Sequence, residues 1–136
     1  DIFTERAEAL LKQRPDYASL EDALDEAVQM VIKNKRIVYH LYRSADRALV
    51  EMYLMRICEQ VILSYIHDNR SDLPISQEDK TIIVRYYKCQ CFGMIIDWLN
   101  SDMRFDIAAE ARRMYELRKG MLEEIVRRAS MQRSKA

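Results

Sequence analysis

Glycine and proline are scarce in this chain, and their scarcity limits the possible folds more than any other feature. Only 2 Gly and 2 Pro occur among 136 residues. A β-sandwich or barrel needs a turn residue about every ten positions, and a phosphate-binding loop needs clustered glycine. Neither can be built here, so the sequence predicts an all-α protein. An apolar share of 49% with 32% charged residues indicates one ordered globular domain.

Apolar residues recur at helical spacing along most of the chain and predict a bundle of five to six helices. A first helix over residues 2–13 should end before Pro15. The pattern Ser19-Leu-Glu-Asp22 resembles a capping box and should start a second helix that runs to Tyr42, with a break near Asn34. The segment 45–67 is apolar in nearly every direction, which is typical of a helix surrounded by other helices.

Two more helices are predicted in the second half of the chain. Ser76 should cap a helix that runs to Asn100, and Asp106 should cap a last helix that runs to about Arg128. The helix that Ser76 caps has two opposite apolar faces, more than one flanking helix can cover. Gly93 costs that helix about 1 kcal/mol relative to Ala, a loss that the close approach of another backbone would offset. The sequence therefore predicts a helix-on-helix seam.

The seam can lie between two copies or within one chain. Between two copies, the last two helices of each subunit would form a four-helix interface with twofold symmetry. We expect this dimer, because one chain has too few helices to cover both apolar faces. The residues predicted to form the interface are Tyr87, Gln90, Gly93, Met94, Met114, Met121, Leu122 and Ile125. A seam inside a five-helix monomer is the alternative.

Charge and cysteine content restrict the partners and the compartment. The formal net charge is zero, whereas a domain that grips nucleic acid by itself usually carries a basic excess. No apolar run approaches the roughly 18 residues of a membrane span. Three cysteines and no secretory signal fit a reduced, cytoplasmic setting. We therefore expect no membrane association and no direct contact of this domain with DNA.

Catalytic and metal-binding patterns are missing from the sequence. Neither His40 nor His67 has a Glu three residues before it, as a di-iron helical bundle requires. Cys89 and Cys91 point in different directions on a helix and cannot chelate one ion. The sequence predicts no metal, no cofactor and no enzymatic activity. For His40 two interpretations stay open: a polar group that faces a ligand, or a half-buried surface histidine.

The 8 Met and 8 Tyr residues suit an apolar pocket with a few hydrogen-bonding groups. Ordinary core packing is the other interpretation of these residues. Positions on the helical wheel suggest the ligand-binding set Tyr42, Met52, Met55, Cys58, Tyr86 and Cys89.

The stretch from Tyr87 to Met103, YKCQCFGMIIDWLNSDM, resembles the penultimate-helix signature of TetR/AcrR-type transcriptional regulators. That signature has an aromatic residue, a mid-helix glycine (here Gly93), Trp98-Leu99, and a short turn into the last helix. The segment from Asn34 to Arg47 is similar to the family's join between the second helix of the regulatory domain and its central helix. The last helix opens without the Pro or Ser often found there. The resemblance covers residues 19–129.

The resemblance implies a homodimer formed by the last two helices and a pocket for a small apolar or amphipathic ligand around the central helix. It also implies a helix-turn-helix DNA-binding domain before residue 1. Residues 1–14 would be the remnant of the connecting helix, 15–130 the ligand-binding and dimerisation domain, and 131–136 a polar tail. A ligand would shift the connecting helix and change the spacing of the two recognition helices.

We therefore expect the sensing and dimerising domain of a TetR-like bacterial regulator, a repressor that contacts DNA only through the domain not present here. The alternative from another class is a free-standing helical protein–protein adaptor without a small-molecule pocket. A cofactor-free helical enzyme is a third possibility. A dimer that retains an apolar ligand would indicate sensing, and a monomer without a cavity would indicate the adaptor.

Overall fold

The computed structural model describes residues 20–70 and 75–135, together with positions 5, 8 and 9. Within these residues the chain is all-α, with six helices and no strand, which confirms the predicted fold class. The helices are α1 (Leu20–Lys33), α2 (Lys35–Tyr42), α3 (Arg47–Arg70), α4 (Gln77–Asn100), α5 (Ile107–Arg118) and α6 (Met121–Lys135). The predicted stop at Pro15 and the Ser19 cap lie outside the described residues. The same holds for the predicted helix 2–13, apart from positions 5, 8 and 9, which are helical.

The long helix α3 lies at the centre of the bundle, as its apolar pattern predicts. It packs against α1, α2 and α4. Leu54, Ile57, Cys58 and Ile62 are almost completely enclosed, so the middle of α3 supplies the heart of the core. Burying such side chains removes their apolar surface from water, which stabilises the folded chain by roughly 1.5–3 kcal/mol for each large aliphatic residue.

Both predicted caps in the second half of the chain are confirmed. The Ser76 hydroxyl accepts a hydrogen bond from the backbone N–H of Asp79 at 3.0 Å, and a carboxylate oxygen of Asp106 accepts from that of Ala109 at 3.1 Å. The break near Asn34 is confirmed as well, because Asn34 separates α1 from α2. Its buried side-chain amide donates to the backbone carbonyl of Met30 at 2.8 Å and so completes the end of α1.

The end of α4 is held by its own backbone. The N–H of Met103 donates to the carbonyl of Trp98 at 2.9 Å, and that of Asp102 donates to Leu99 at 3.0 Å. These two bonds form a Schellman motif, in which the residue after the helix cap adopts a left-handed conformation. Asp102 takes that position with a φ of 60°. The short turn predicted between the last two long helices is therefore a well-defined stop.

Side chains of α2 tie this turn to the core. The hydroxyl of Tyr39 donates to a carboxylate oxygen of Asp102 at 2.6 Å, and Arg43 donates to the same oxygen. These two hydrogen bonds lower the pKa of Asp102 below its ordinary value. One turn further along α2, the hydroxyl of Tyr42 donates to the side chain of Asn100 at 2.7 Å. The end of α4 and the end of α2 are thus fixed to each other.

The prediction of one continuous last helix from Asp106 to about Arg128 is wrong. Helix α5 ends at Arg118 and α6 begins at Met121. Between them Gly120 has a φ of +86°, in the left-handed region that breaks a right-handed helix and that glycine adopts without steric cost. Helix α6 then continues to Lys135, into the segment predicted to be a polar tail.

Candidate functional site

A partly open cavity of about 330 Å³ lies between α1, α4 and α5. Its volume falls within the range of small-molecule sites in proteins, roughly 300–1,000 Å³. The apolar part of its lining consists of Leu24, Val28, Cys91, Met94, Ala111, Met114 and Tyr115. The polar part consists of Asp22, Asp25, Gln90, Arg112, Glu116 and Arg118. The cavity is therefore amphipathic.

Helical periodicity explains why these residues share one cavity. Leu24 and Val28 are four residues apart, so they lie one above the other on α1. Gln90 and Met94 have the same spacing on α4. On α5 the spacing i, i+3, i+4, i+7 places four lining residues on one face: Ala111, Met114, Tyr115 and Arg118. Helix α5 packs against both α1 and α4, and these three faces enclose the cavity.

Arg118 is the most constrained polar group in the lining. One terminal nitrogen donates to the side-chain oxygen of Gln90 at 3.0 Å, and the guanidinium carbon lies 5.9 Å from the centre of the Tyr87 ring. Its Nε is buried and has no hydrogen-bond partner among the described residues. A buried donor without an acceptor costs about 1–3 kcal/mol. The site therefore contains a fixed cation with one unsatisfied N–H group.

None of the six residues predicted to bind a ligand lines this cavity. Tyr42 and Cys58 are enclosed in the core, and Met55 is half-buried. The other three are exposed: Met52, Tyr86 and Cys89. The helical wheel could not show which of these residues face a cavity, because α3 and α4 carry apolar side chains in nearly every direction. The lining is also not built around the central helix, since α3 contributes no residue to it.

Cys58 and Cys91 form a buried pair that connects α3 to α4. The thiol of Cys58 donates to the sulfur of Cys91 at 3.2 Å, and both cysteines are free. The hydrogen bond to Cys91 and the burial of the thiol raise the pKa of Cys58 well above its ordinary value. A neutral, enclosed thiol is a poor nucleophile and a poor metal ligand. Within the described part of the chain, no group of His, Cys, Asp and Glu side chains has the arrangement of a metal site. His40 is exposed on the surface of α2.

The residues predicted to form the dimer interface differ in their accessibility. Gln90, Gly93, Met114 and Met121 are exposed, and Met94 and Ile125 are half-buried. Tyr87 and Leu122 are buried in the core of the protomer itself. Tyr86 and Tyr87 are about 100° apart around α4. The sequence interpretation placed Tyr86 in the ligand pocket and Tyr87 in the dimer interface, whereas the structure turns Tyr86 outward and Tyr87 into the core.

An exposed apolar face runs along α4 and across α5 into α6. We define it by Ile82, Tyr86, Cys89 and Gly93 on α4, and by Met114, Leu117 and Met121 on the other two helices. Ile82 is 54% exposed, Tyr86 62%, Leu117 60% and Met121 53%. The contact between Gln90 and Arg118 joins the two parts of this face. Large exposed apolar side chains grouped on neighbouring helices are typical of interaction sites.

The sequence interpretation did not include Ile82, Leu117 or Arg118. Ile82 lies one turn before Tyr86, on the side of α4 that the structure turns outward. The predicted interface was built on Tyr87 instead, so extending it by one turn leads to the buried Ile83 and Val84. Leu117 follows Met114 by three residues, so extending the predicted interface along α5 would have found it. Arg118 gives no local signal, because its role depends on Gln90 of another helix.

Comparison with known families agrees with this architecture. Residues 18–120 match the family model TetR_C_8, described as "Transcriptional regulator C-terminal region". The chain belongs to this family: it is a C-terminal region of a TetR-family transcriptional regulator. Its broad role is therefore transcription regulation, in a family of regulators that are not enzymes. Comparison with curated proteins and with solved structures found no match. None of the helices in the described ranges is long and apolar enough to cross a membrane.

Proposed function

We propose that this domain senses a small apolar or amphipathic molecule in the cavity between α1, α4 and α5, and that it acts as a homodimer. The observation that carries the proposal is that the cavity and the exposed apolar face share two helices, α4 and α5. Met114 belongs to both, since it lines the cavity and is also exposed. Occupancy of the cavity can therefore alter the surface through which two copies associate.

The coupling needs a ligand that prefers one arrangement of the helices. Leu24 and Val28 of α1 face α5 across the cavity, so a bound molecule contacts both helices. A ligand shifts a conformational equilibrium only as far as its affinities for the two states differ. In this proposal the favoured spacing of α1 and α5 sets the distance between two DNA-binding domains that precede residue 1. The change in half-site distance lowers operator affinity, so ligand binding releases the operator. We propose that the domain belongs to a repressor, which blocks transcription while it is bound to DNA.

The exposed apolar face is the proposed dimer surface. A twofold interface uses the same patch on both subunits, so α4 and the α5–α6 pair of one copy would pack on the same helices of the other. This arrangement removes the four most exposed large apolar side chains of the face from water. It also agrees with the dimer inferred from the sequence.

Sedimentation equilibrium of the purified chain tests the dimer. We expect Met121→Asp to yield monomers, because the substitution places a charge in the apolar face. Met52→Asp is the matched control, since Met52 is 45% exposed but lies on α3, away from that face. A Met121→Asp variant that dimerises as tightly as the wild type would contradict the proposed surface.

Native mass spectrometry of the chain purified from cells tests the cavity. We expect a retained small molecule in the wild type and its loss in Ala111→Trp, because Ala111 lines the cavity and a large ring would fill it. Ala109→Trp is the control, on the same helix but exposed and outside the lining. Equal retention by both variants would place the ligand elsewhere. A monomer that retains no molecule would instead favour the protein–protein adaptor.

A further inference from the structure

Two thiols are in contact between the central helix and the wall of the cavity. The sulfurs of Cys58 on α3 and Cys91 on α4 are 3.2 Å apart, and both cysteines are free. A disulfide bond is about 2.05 Å long, so the two sulfurs need to approach each other by only about 1 Å to form one. The pair is therefore placed for oxidation to a disulfide within the chain.

The surroundings of the pair leave the two thiols to react with each other. Residues one turn away on the same helices are apolar and buried: Leu54, Ile62 and Ile95. Within the described part of the chain, no third His, Cys, Asp or Glu joins the pair in a metal site. A reagent that alkylates a single thiol makes no use of the second one, whereas an oxidant that takes two electrons uses both. The contact between the sulfurs therefore favours an oxidant.

The two thiols differ in their access to the cavity. Cys91 belongs to the cavity lining and keeps 4% of its surface exposed, whereas Cys58 is outside the lining and has 0% exposed. A molecule in this cavity of about 330 Å³ therefore meets Cys91 first. The lining also includes Val28 and Met94, which suit an apolar molecule. The order of the reaction follows: Cys91 reacts with the oxidant, and Cys58 closes the disulfide.

We propose that Cys91 and Cys58 form an oxidation site for a small apolar hydroperoxide that enters the cavity. The sulfur of Cys91 attacks the terminal oxygen of the peroxide; an S–O bond forms, the O–O bond breaks, and the thiol proton passes to the departing alkoxide to give an alcohol. The sulfur of Cys58 then attacks that of Cys91; the S–S bond forms, the S–O bond breaks, and hydroxide leaves with the Cys58 proton as water. The two thiols supply the two electrons that reduce the peroxide.

The short distance between the sulfurs favours the second step. An enclosed thiol such as Cys58 is a poor nucleophile towards molecules in solution. Holding two reacting groups in contact makes their reaction effectively unimolecular and offsets this disadvantage. The disulfide would tie α3 to α4 at the cavity wall. The inference goes beyond the proposed function, because this covalent change requires neither a retained ligand nor a dimer.

Intact-mass spectrometry after treatment with cumene hydroperoxide tests the inference. The full chain carries Cys89→Ser, which removes the exposed thiol and leaves only the pair. The protein is then denatured and alkylated with iodoacetamide, and the untreated chain takes up two alkyl groups. We expect the treated chain to take up none and to be lighter by about 2 Da, the mass of two hydrogen atoms. Dithiothreitol should restore both thiols.

Single substitutions in the same background separate the two thiols. With Cys58→Ser, we expect Cys91 to stop at the sulfenic acid, which dimedone traps when the chain is denatured. With Cys91→Ser, we expect no adduct on Cys58, because Cys58 is outside the lining. An adduct on Cys58 alone would overturn the proposed order. Circular dichroism establishes that each variant is folded.

Two variants of α5 test the route of the oxidant. Ala111→Trp fills the cavity and should leave most of the pair reduced at a time when the parent chain is fully oxidised. Ala109→Trp is exposed and outside the lining, so it should be oxidised as the parent chain is. Disulfide formation that Ala111→Trp leaves unchanged would overturn the route through the cavity.

Two further results would overturn the inference, and neither depends on a substitution in the core. One is a wild-type chain whose exposed Cys89 is fully oxidised while Cys58 and Cys91 still take up alkyl groups. The other is a gain of oxygen on the pair in place of the loss of two hydrogen atoms. The molecule retained in native mass spectrometry is measured without peroxide, so the proposed sensing function would stand in both cases.

Discussion

Replacing Gly93 by alanine separates the stability of one protomer from the stability of the dimer. Gly93 lies in the middle of α4, is exposed, and has no atom within 4 Å of the place where a Cβ would be. Nothing inside the protomer therefore requires a glycine there. Alanine in a helix interior is favoured over glycine by about 1 kcal/mol. An unfolding entropy of about 2.1 cal/mol/K per residue converts this gain into a rise in melting temperature of roughly 3–4 °C for a chain of this length.

The same methyl group should weaken dimerisation. In the proposed dimer, the partner's helix approaches α4 most closely at Gly93, the residue of the exposed face without a side chain. An added methyl group at a close helix contact costs typically 1–3 kcal/mol through overpacking. A cost of about 1.4 kcal/mol raises the dissociation constant of the dimer tenfold. One substitution is thus expected to stabilise the protomer and destabilise its association.

Two measurements read these effects separately. Thermal unfolding in a Met121→Asp background, where we expect monomers, reports the protomer alone, and protein concentration is held fixed because association would shift the melting temperature. Sedimentation equilibrium in the otherwise wild-type chain reports the dimer. An unchanged dissociation constant would show that the seam does not cross Gly93. An unchanged melting temperature in the monomeric background would refute the helix-propensity argument.

Three other predictions follow from single positions. Gly120→Ala should lower the free energy of unfolding, measured by urea denaturation, by about 1–2 kcal/mol, because alanine is strained at positive φ. This effect is opposite in sign to that of Gly93→Ala. A gain in stability would contradict the left-handed conformation of Gly120 between α5 and α6. In the Met121→Asp background, where we expect monomers, Ellman's reagent should find one fast thiol, that of the exposed Cys89, and two slow ones. Cys89→Ser should remove the fast phase and leave the other two. Hydrogen bonds from two arginines hold the pKa of Glu124 at about 2, below its ordinary 4.5. Its stabilising contribution should therefore be full above pH 4.5 and be lost as the pH falls towards 2. The difference in melting temperature between wild type and Glu124→Gln should shrink over that window and in high salt; a difference that grows towards low pH would contradict the assignment.

Features that depend on neighbouring residues in the sequence could be predicted. The caps at Ser76 and Asp106 are local hydrogen bonds between residues three apart, so the residue types alone indicate them. The break at Asn34 and the central position of α3 follow from the same kind of local pattern. The direction in which α4 turns Tyr86 and Tyr87 could not be predicted, because an apolar side chain on either side of the helix satisfies the pattern equally well.

The cavity could not be predicted for a different reason. Its walls come from α1, α4 and α5, which are far apart in the chain, and its volume depends on how closely these helices approach. From the sequence alone, Arg118 is indistinguishable from any other surface charge near the end of a helix. Only the packing of α5 on α4 brings it to Gln90 and the Tyr87 ring.

The break at Gly120 explains why apolar side chains remain exposed on this side of the molecule. The apolar stripe predicted for one long helix is divided, and its two halves face different neighbours. Helix α5 packs on α1 and α4 and closes the cavity. Helix α6 turns Leu122 into the core, and the hydroxyl of Tyr65 on α3 donates to Glu123 at 3.1 Å. Met121 lies where the direction changes and can join neither half, so it remains on the surface that we propose a second copy covers.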